Sequence, residues 1–362
     1  MSLNHIYQIK DRERILSPAL IFYPELIKRN IQRMIKIAGS TKRLRPHIKT
    51  FKCKEIVQLQ MEAGIRHFKC ASLEEARLLA ELKIPEALVA YPLTGPAQLE
   101  FLNLSNTFQD TQFSVLIDHE DQVQQWKRYT DASISVFIDL DVGMHRTGID
   151  PNSAMALYDS LDSRFNFRGF HVYDGHIHTS SLEVRTQEVE AAFTKVIPLL
   201  ASFESKQALE IICGGSASFP IHAQDPMRTV SPGTTLLWDQ GYTSSFPDLP
   251  LEIAAVCLCR VISKPQPDLL CVDLGHKAVA SEMKEMPVHF QQIPDAQMAS
   301  ISEEHLVLRT DAASKFKIGD VLYGFPWHIC PTVALHESAL IIEDQTIQEQ
   351  WMISARKRKY LL

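Results

Sequence analysis

Two short segments of the chain carry side chains suited to making and breaking bonds. Near the N-terminus, Arg45-Pro46-His47-Ile48-Lys49-Thr50 sets a lysine two residues beyond a histidine. In an extended segment, alternation puts His47 and Lys49 on one face. A lone lysine is ordinarily a solvated surface charge. On the inward face of a strand it is partly desolvated, which favours the neutral amine and makes it a nucleophile toward carbonyl groups. Near the C-terminus, His328-Ile329-Cys330 presents an imidazole and a thiolate on one face if extended. Both are good Zn2+ ligands, and two protein ligands leave positions open for water and substrate, as a catalytic metal requires. A lone H-x-C also arises by coincidence.

Two glycine-rich clusters suit an anion. Gly214-Gly215-Ser216-Ala217-Ser218 and Ser231-Pro232-Gly233-Thr234 let backbone amides approach a ligand without a side chain in the way. Ser216, Ser218 and Thr234 add hydroxyls. Either cluster alone reads equally as a tight turn. Two further polar clusters are Asp141 to Gly148 and Tyr173 to His178.

The elements that must position these groups follow from period and punctuation. Candidate strands are Leu44 to Lys49, His67 to Ser72, Ala87 to Pro92, Gln112 to Asp118, Ile134 to Asp141, Gly169 to Gly175, Leu209 to Cys213 and Thr229 to Leu237. Helix-like stretches separate most of them, and Ser72 with Glu75 forms a capping box before LEEARLLAEL. Eight strands with helical connections predict an α/β fold, a closed (β/α)8 TIM-type barrel over residues 17–247. An open doubly wound sheet has the same periodicity. In a barrel the active site lies at the strand C-termini, where the polar clusters all fall. After Pro247 the pattern turns to short strands without long helices. Residues 248–362, with residues 1–16, therefore read as a second, mainly-β domain carrying the H-x-C segment.

A net charge of −6 gives no broad basic field, which argues against nucleic acid. No apolar run approaches the ~18 residues of a membrane span. The first sixteen residues lack the apolar core of a signal peptide. Seven scattered cysteines, an odd number, point to a reducing cytoplasm rather than a disulfide framework.

RPHIKTFKC, DVGMHRTG, YDGHIH, GGSAS, SPGTTLLWDQGY and PWHICPTV, in this order, resemble the D-threonine aldolase and D-serine dehydratase family. These are alanine-racemase-like, fold type III enzymes that depend on pyridoxal phosphate (PLP). The likeness runs from about Ser17 to near the C-terminus. It implies that Lys49 is the cofactor lysine, that Arg146 lies by the ring oxygen, and that Tyr173 or His176 contacts the ring. It implies that Gly214, Gly215, Ser216, Gly233 and Thr234 hold the phosphate, with Tyr242 as a further contact. It makes His328 and Cys330 ligands of a divalent metal, Zn2+ or Mn2+. Phe51 departs from the family, which has histidine there, and His178 lies in a loop that varies between branches.

The resemblance implies a lyase acting on β-hydroxy D-amino acids, with aldolase cleavage to glycine and an aldehyde as the leading reading. D-serine dehydration to a keto acid and ammonia uses the same ligands. His176 is the foremost base candidate; His178, His305 and His336 are others, the last two also readable as structural histidines. Two rivals are an amino-acid racemase and a PLP-binding protein without turnover. The first would need a second-base tyrosine from the C-terminal domain, and the second has relatives that are lone barrels. The family's head-to-tail pairing implies a homodimer. Cys257 and Cys259 read as buried apolar residues. Asp139 and Asp141 share a strand face, as orienting groups or ordinary strand-end polar residues.

Overall fold

Short hydrophobic runs bounded by turns become strands in the computed structural model, which describes residues 5–203, 209–282 and 286–358. Strand β1 (Ala19–Phe22) and helix α1 (Pro24–Ala38) are followed by α2 (Lys54–Glu62), β2 (His67–Cys70), α3 (Leu73–Glu81), β3 (Glu86–Val89), α4 (Pro96–Thr107), β4 (Gln112–Ile117), α5 (Glu120–Tyr129) and β5 (Ile134–Leu140). Then come α6 (Ala154–Asp159), β6 (Phe165–Val172), α7 (Leu182–Thr194), β7 (Glu210–Cys213) and β8 (Arg228–Val230). Contacts divide the chain into two compact units. One comprises Gln32–Lys49 and Val57–Gly233; the other comprises the chain up to Ile31, Thr50–Ile56 and Thr234–Arg356.

In the first unit β2 to β8 form one parallel sheet in sequence order. The segment expected as the first strand is not a continuous one. Leu44 bridges Val230 of β8, and His47 bridges Lys69 of β2, both in parallel. The segment thus closes the seven strands into a barrel. Pro46 has no N–H to extend the ladder, and past His47 the chain coils into a 3-10 turn over Ile48–Thr50. That turn, rather than a strand face, carries Lys49. The eighth expected strand also stops early, at Val230, because Pro232 interrupts it. Ser72 caps α3 through the Glu75 N–H, while the Glu75 carboxylate accepts from Ala71 N–H.

β5 and β6 pair with a bulge: Val136 faces Phe167 and Phe137 faces Gly169, leaving Arg168 as an extra residue. Gly169 adopts φ +142°, and a Cβ there would lie 2.0 Å from the Glu210 carbonyl oxygen. No other residue fits.

The barrel interior is layered. At the strand starts the Arg45 guanidinium, 1% exposed, is gripped by Glu210 (2.8 Å) and Glu86 (2.8 Å), and Arg168 binds Glu86 at 2.7 Å. Arg45 therefore lies at the opposite end from the strand-end cluster in which its sequence position had placed it. Next come Leu88, Leu116, Phe137 and Ile212. Two positions further along β5, and on β2 and β6, Asp139, Lys69 and His171 are buried.

In the second unit β1 lies between β9 (Ala255–Ser263) and, near the chain end, Ser338–Glu343. With β10 (Leu269–Val272), β11 (Val288–Phe290), β12 (Gln297–Ile301), β13 (Leu306–Arg309), β14 (Val321–Pro326), β15 (Ser338–Glu343) and β16 (Thr346–Met352) they form a nine-stranded, mostly antiparallel sheet. The outermost parts of the expected second domain, residues 1–4 and 359–362, lie outside the described residues. No helix among the described residues is long and apolar enough to cross a membrane.

Burial would raise the Glu86 pKa, but Arg168 and Arg45 outweigh it and hold the carboxyl below its ordinary value. The stability this gives is present at neutral pH and is lost as the pH falls through that lowered pKa. Arg45→Met, which strips Glu210 of its guanidinium and leaves Glu86 with Arg168 alone, is expected to cost about 3–5 kcal/mol by urea denaturation. Adding Glu86→Gln and Glu210→Gln to it should recover part of the loss.

Candidate active site

Tyr173 follows β6 directly, at the strand ends of the barrel, and its ring gathers three basic groups. The Lys49 amine lies 5.9 Å from the ring centroid, the Lys69 amine 5.7 Å and the Arg146 guanidinium carbon 5.3 Å. Glycines seat the ring: a Cβ at Gly175 would come within 2.3 Å of it, and one at Gly215 within 3.1 Å. Lys69 is the group that sequence reasoning missed. Its amine is 3.2 Å from His171 Nε2, and His171 Nδ1 is 2.6 Å from Asp139. The only sequence signal was polar residues at inward positions of strands otherwise apolar. Asp139 thus holds His171, and its other oxygen accepts from the Thr147 hydroxyl at 3.0 Å. Asp141 organises the following turn, accepting from Gly143 N–H (2.9 Å) and His145 N–H (3.0 Å).

His176 packs over Gly143, where a Cβ would lie 2.8 Å from Nε2. Its Nδ1 is buried and has no hydrogen-bond partner among the described residues. A cavity of about 440 Å³ opens beside it, lined by Gly143, His178, Glu188 and Lys195 among others. His178 itself is exposed.

The glycine clusters behave differently from the expectation of free amides. Gly214 N–H donates to the Val172 carbonyl (3.0 Å), Gly215 N–H to the Ser218 hydroxyl (3.1 Å) and Gly233 N–H to the Ser216 hydroxyl (3.2 Å). Ser218 in turn donates to Asp174 at 2.6 Å, and Asp174 also holds His222 at 2.8 Å. All three amides are engaged: Gly214 bonds back to the end of β6, Gly215 within its own loop and Gly233 across to the other loop. The two clusters are therefore tied to each other and to β6 through these amides.

The second unit holds the other expected residues. His328 precedes the short helix Ile329–Leu335, and Cys330 lies within it. The Cys330 sulfur is 3.1 Å from the Thr50 hydroxyl and 3.4 Å from that of Thr234. Thr234 thus turns to the thiol, a contact the phosphate expectation did not include, and Thr50 is a partner that sequence reasoning missed. Burial would raise the Cys330 pKa, but His328 and the two threonines hold it below the ordinary thiol value. Burial would lower that of His328, yet Cys330 and Glu282 push it up to about 9. Asp239 accepts from the Ile329 N–H between them (3.1 Å) and from the Tyr242 N–H (2.8 Å). The Tyr242 ring packs tilted against Trp238, centroids 4.8 Å apart. Phe51 is fully buried. His336 binds the Ala278 carbonyl at 2.7 Å, a structural role, and His305 is exposed. Cys257 and Cys259 are buried thiols, the former pushed up to about 12 by burial.

The barrel mouth suits PLP: one amine for its aldehyde, cations for its anionic oxygens and an aromatic face for its ring. The His328–Cys330 pair suits a divalent metal with open positions. Among the described residues no group of three or more His, Cys, Asp or Glu side chains could hold one.

Residues 24–240 match the family described as "Alanine racemase, N-terminal domain", and residues 254–342 match "Putative serine dehydratase domain". A D-threonine aldolase of Arthrobacter sp is 30% identical over 332 residues, 86% of this chain and 85% of that protein. The structure of D-threonine aldolase from Filomicrobium marinum superposes with a TM-score of 0.85 at 24% identity, covering 95% of this chain and 96% of the other. A D-threo-3-hydroxyaspartate dehydratase with one histidine replaced by alanine gives a TM-score of 0.81 at 18% identity, over 96% and 97% of the chains. Its relative in a metal-free form, with alanine for a cysteine two positions further on, gives 0.79 at 19%, over 96% and 99%. The chain belongs to the D-threonine aldolase and D-serine dehydratase family of alanine-racemase-like, fold type III enzymes.

Proposed function

We propose that this chain is a PLP-dependent lyase of β-hydroxy D-amino acids, with retro-aldol cleavage to glycine and an aldehyde as its principal reaction. The observation that carries it is the seat of Lys49: its amine and the Arg146 guanidinium share the Tyr173 ring at the strand ends of the barrel. PLP, when bound, supplies an electron sink for the bond broken at the α-carbon. Lys49 would hold the cofactor, Arg146 and Tyr173 would orient it, and the loops at Gly214–Ser216 and Gly233 would wall its phosphate end. His176, whose buried Nδ1 has no partner among the described residues, can hold a proton at that atom. If the substrate's hydroxyl proton is taken, the Cα–Cβ bond can break. If the α-proton is taken instead, the hydroxyl leaves, giving a keto acid and ammonia after hydrolysis.

His328 and Cys330 have the same two-residue spacing as the histidine and cysteine replaced in the dehydratase structures, which supports a metal there. The metal would supply a Lewis acid for the substrate's β-oxygen. A thiolate with an imidazole favours Zn2+ over Mn2+. A homodimer in the cytoplasm, with a small D-amino acid as substrate, is the setting consistent with the family and with seven cysteines that form no disulfide.

Protein loaded with PLP should show a visible absorption band that Lys49→Ala lacks. Given Zn2+ or Mn2+ and D-threonine, it should release glycine and acetaldehyde in equal amounts. Keto acid and ammonia from D-threonine or D-serine would make it the dehydratase, and no product with an unperturbed band would remove the lyase reading. His176→Ala is expected to lower kcat about 10²–10⁴-fold with the band retained. Gly143→Ala, whose methyl displaces the same ring, should fall in the same direction. Thr50→Val should weaken metal binding about 10–100-fold in a chelator competition, because it strips a hydroxyl from the Cys330 sulfur.

A further inference from the structure

The barrel interior holds a basic group that this chemistry leaves unused. Lys69, 3% exposed, stands on β2 in a layer where barrels ordinarily pack branched apolar side chains. A buried amine is unfavourable unless paired, and two further strands supply its partners. His171 Nε2 lies 3.2 Å from the amine, Asp139 lies 2.6 Å from His171 Nδ1, and Thr147 fixes Asp139. Burial and the Lys69 charge lower the His171 pKa, so its ring is neutral at neutral pH. A neutral ring that donates to Asp139 from Nδ1 presents an acceptor at Nε2, and the Lys69 ammonium donates to it. A polar void of about 20 Å³, lined by Asp139, His171, Arg146, Thr147 and Tyr173 among others, adjoins the relay. Its size suits one water.

We propose that Lys69, held by His171 and Asp139, is a positioning residue of the cofactor site that sets its electrostatics by switching between charged and neutral forms. The proposal rests on the cofactor reading above. Lys69 and Lys49 stand on the same ring at 5.7 and 5.9 Å, so a charge on one is felt at whatever the other holds. The groups around Lys69 are Lys49 from the closing segment, Asp139 from β5, His171 from β6 and Asp174 beyond it, with the Arg45 charge acting from the far side of the apolar layer. Arg146 faces His171 from the mouth. Burial first, then the Lys49 charge, bring the Lys69 pKa down to about 7 against the pull of Asp139. The cation is present below that pH and gone above it.

The test is the absorption spectrum of PLP-loaded protein, without substrate, from about pH 5.5 to about 9.5. Wild type, Lys69→Met and Lys69→Arg would be compared. Wild type should show a near-neutral transition that both variants lack. The remaining cofactor titration should lie about one unit or more higher in Lys69→Met than in Lys69→Arg, since a neighbouring cation disfavours protonation. Variants that bind PLP and reproduce the wild-type profile overturn the proposal and leave the cofactor reading intact. Absence of any visible band in wild type overturns the cofactor reading, and this inference with it. Should Lys69→Met fail to fold, Lys69→Arg decides alone: loss of the near-neutral transition supports the switch, and persistence refutes it.

Discussion

One short segment must satisfy both edges of the parallel sheet, and the position of Lys49 depends on it. Arg45 N–H donates to the Val230 carbonyl, and the Pro46 carbonyl accepts from Lys69 N–H, so consecutive residues bond to the last and first strands. The same segment carries a guanidinium to the strand starts and an amine to the strand ends. Arg45 is fixed by two carboxylates, and Lys49, four residues on, is thereby placed beside Tyr173. The ionic anchor and the nucleophile are two ends of one strut.

Between those ends lies an apolar floor of Leu88, Leu116, Phe137 and Ile212. It separates the carboxylate-rich base from the basic mouth, and it keeps the local dielectric low enough for charges at the mouth to be felt by one another. Tyr173 caps the mouth with a ring that three cations approach. Seating that ring consumes two glycines, which explains Gly175 and Gly215 without any ligand.

Much of this was legible in the sequence. Period and punctuation placed β2 to β7, and the resemblance named Lys49, Arg146, Tyr173 and His176, all of which come from the barrel unit. What the sequence hid were contacts that depend on pairing. Lys69, His171 and Asp139 meet across 102 and 32 residues of chain, and nothing local in HFKC or GFHV announces it. Thr50 and Thr234 look like neighbours of a lysine and a glycine until their hydroxyls are seen on Cys330. The 3-10 turn under Lys49 was hidden because an alternating pattern cannot register a proline's missing donor. The loop amides read as open donors because their partners on β6 and on the facing loop are not recorded by composition.

The bulge at Arg168 has a consequence for how such a barrel can change. Before it, Phe167 faces the helices with its neighbour Phe170 on the far side of the bulge, their ring centroids 5.3 Å apart. After it, Gly169, His171 and Tyr173 all point inward. The extra residue reverses the parity of β6, and every inward group beyond it owes its direction to that single count. Loops around the barrel can lengthen freely, but this strand can gain or lose residues ahead of Gly169 only in pairs. An odd change would turn His171 and Tyr173 into the helical layer and leave the basic mouth without its ring.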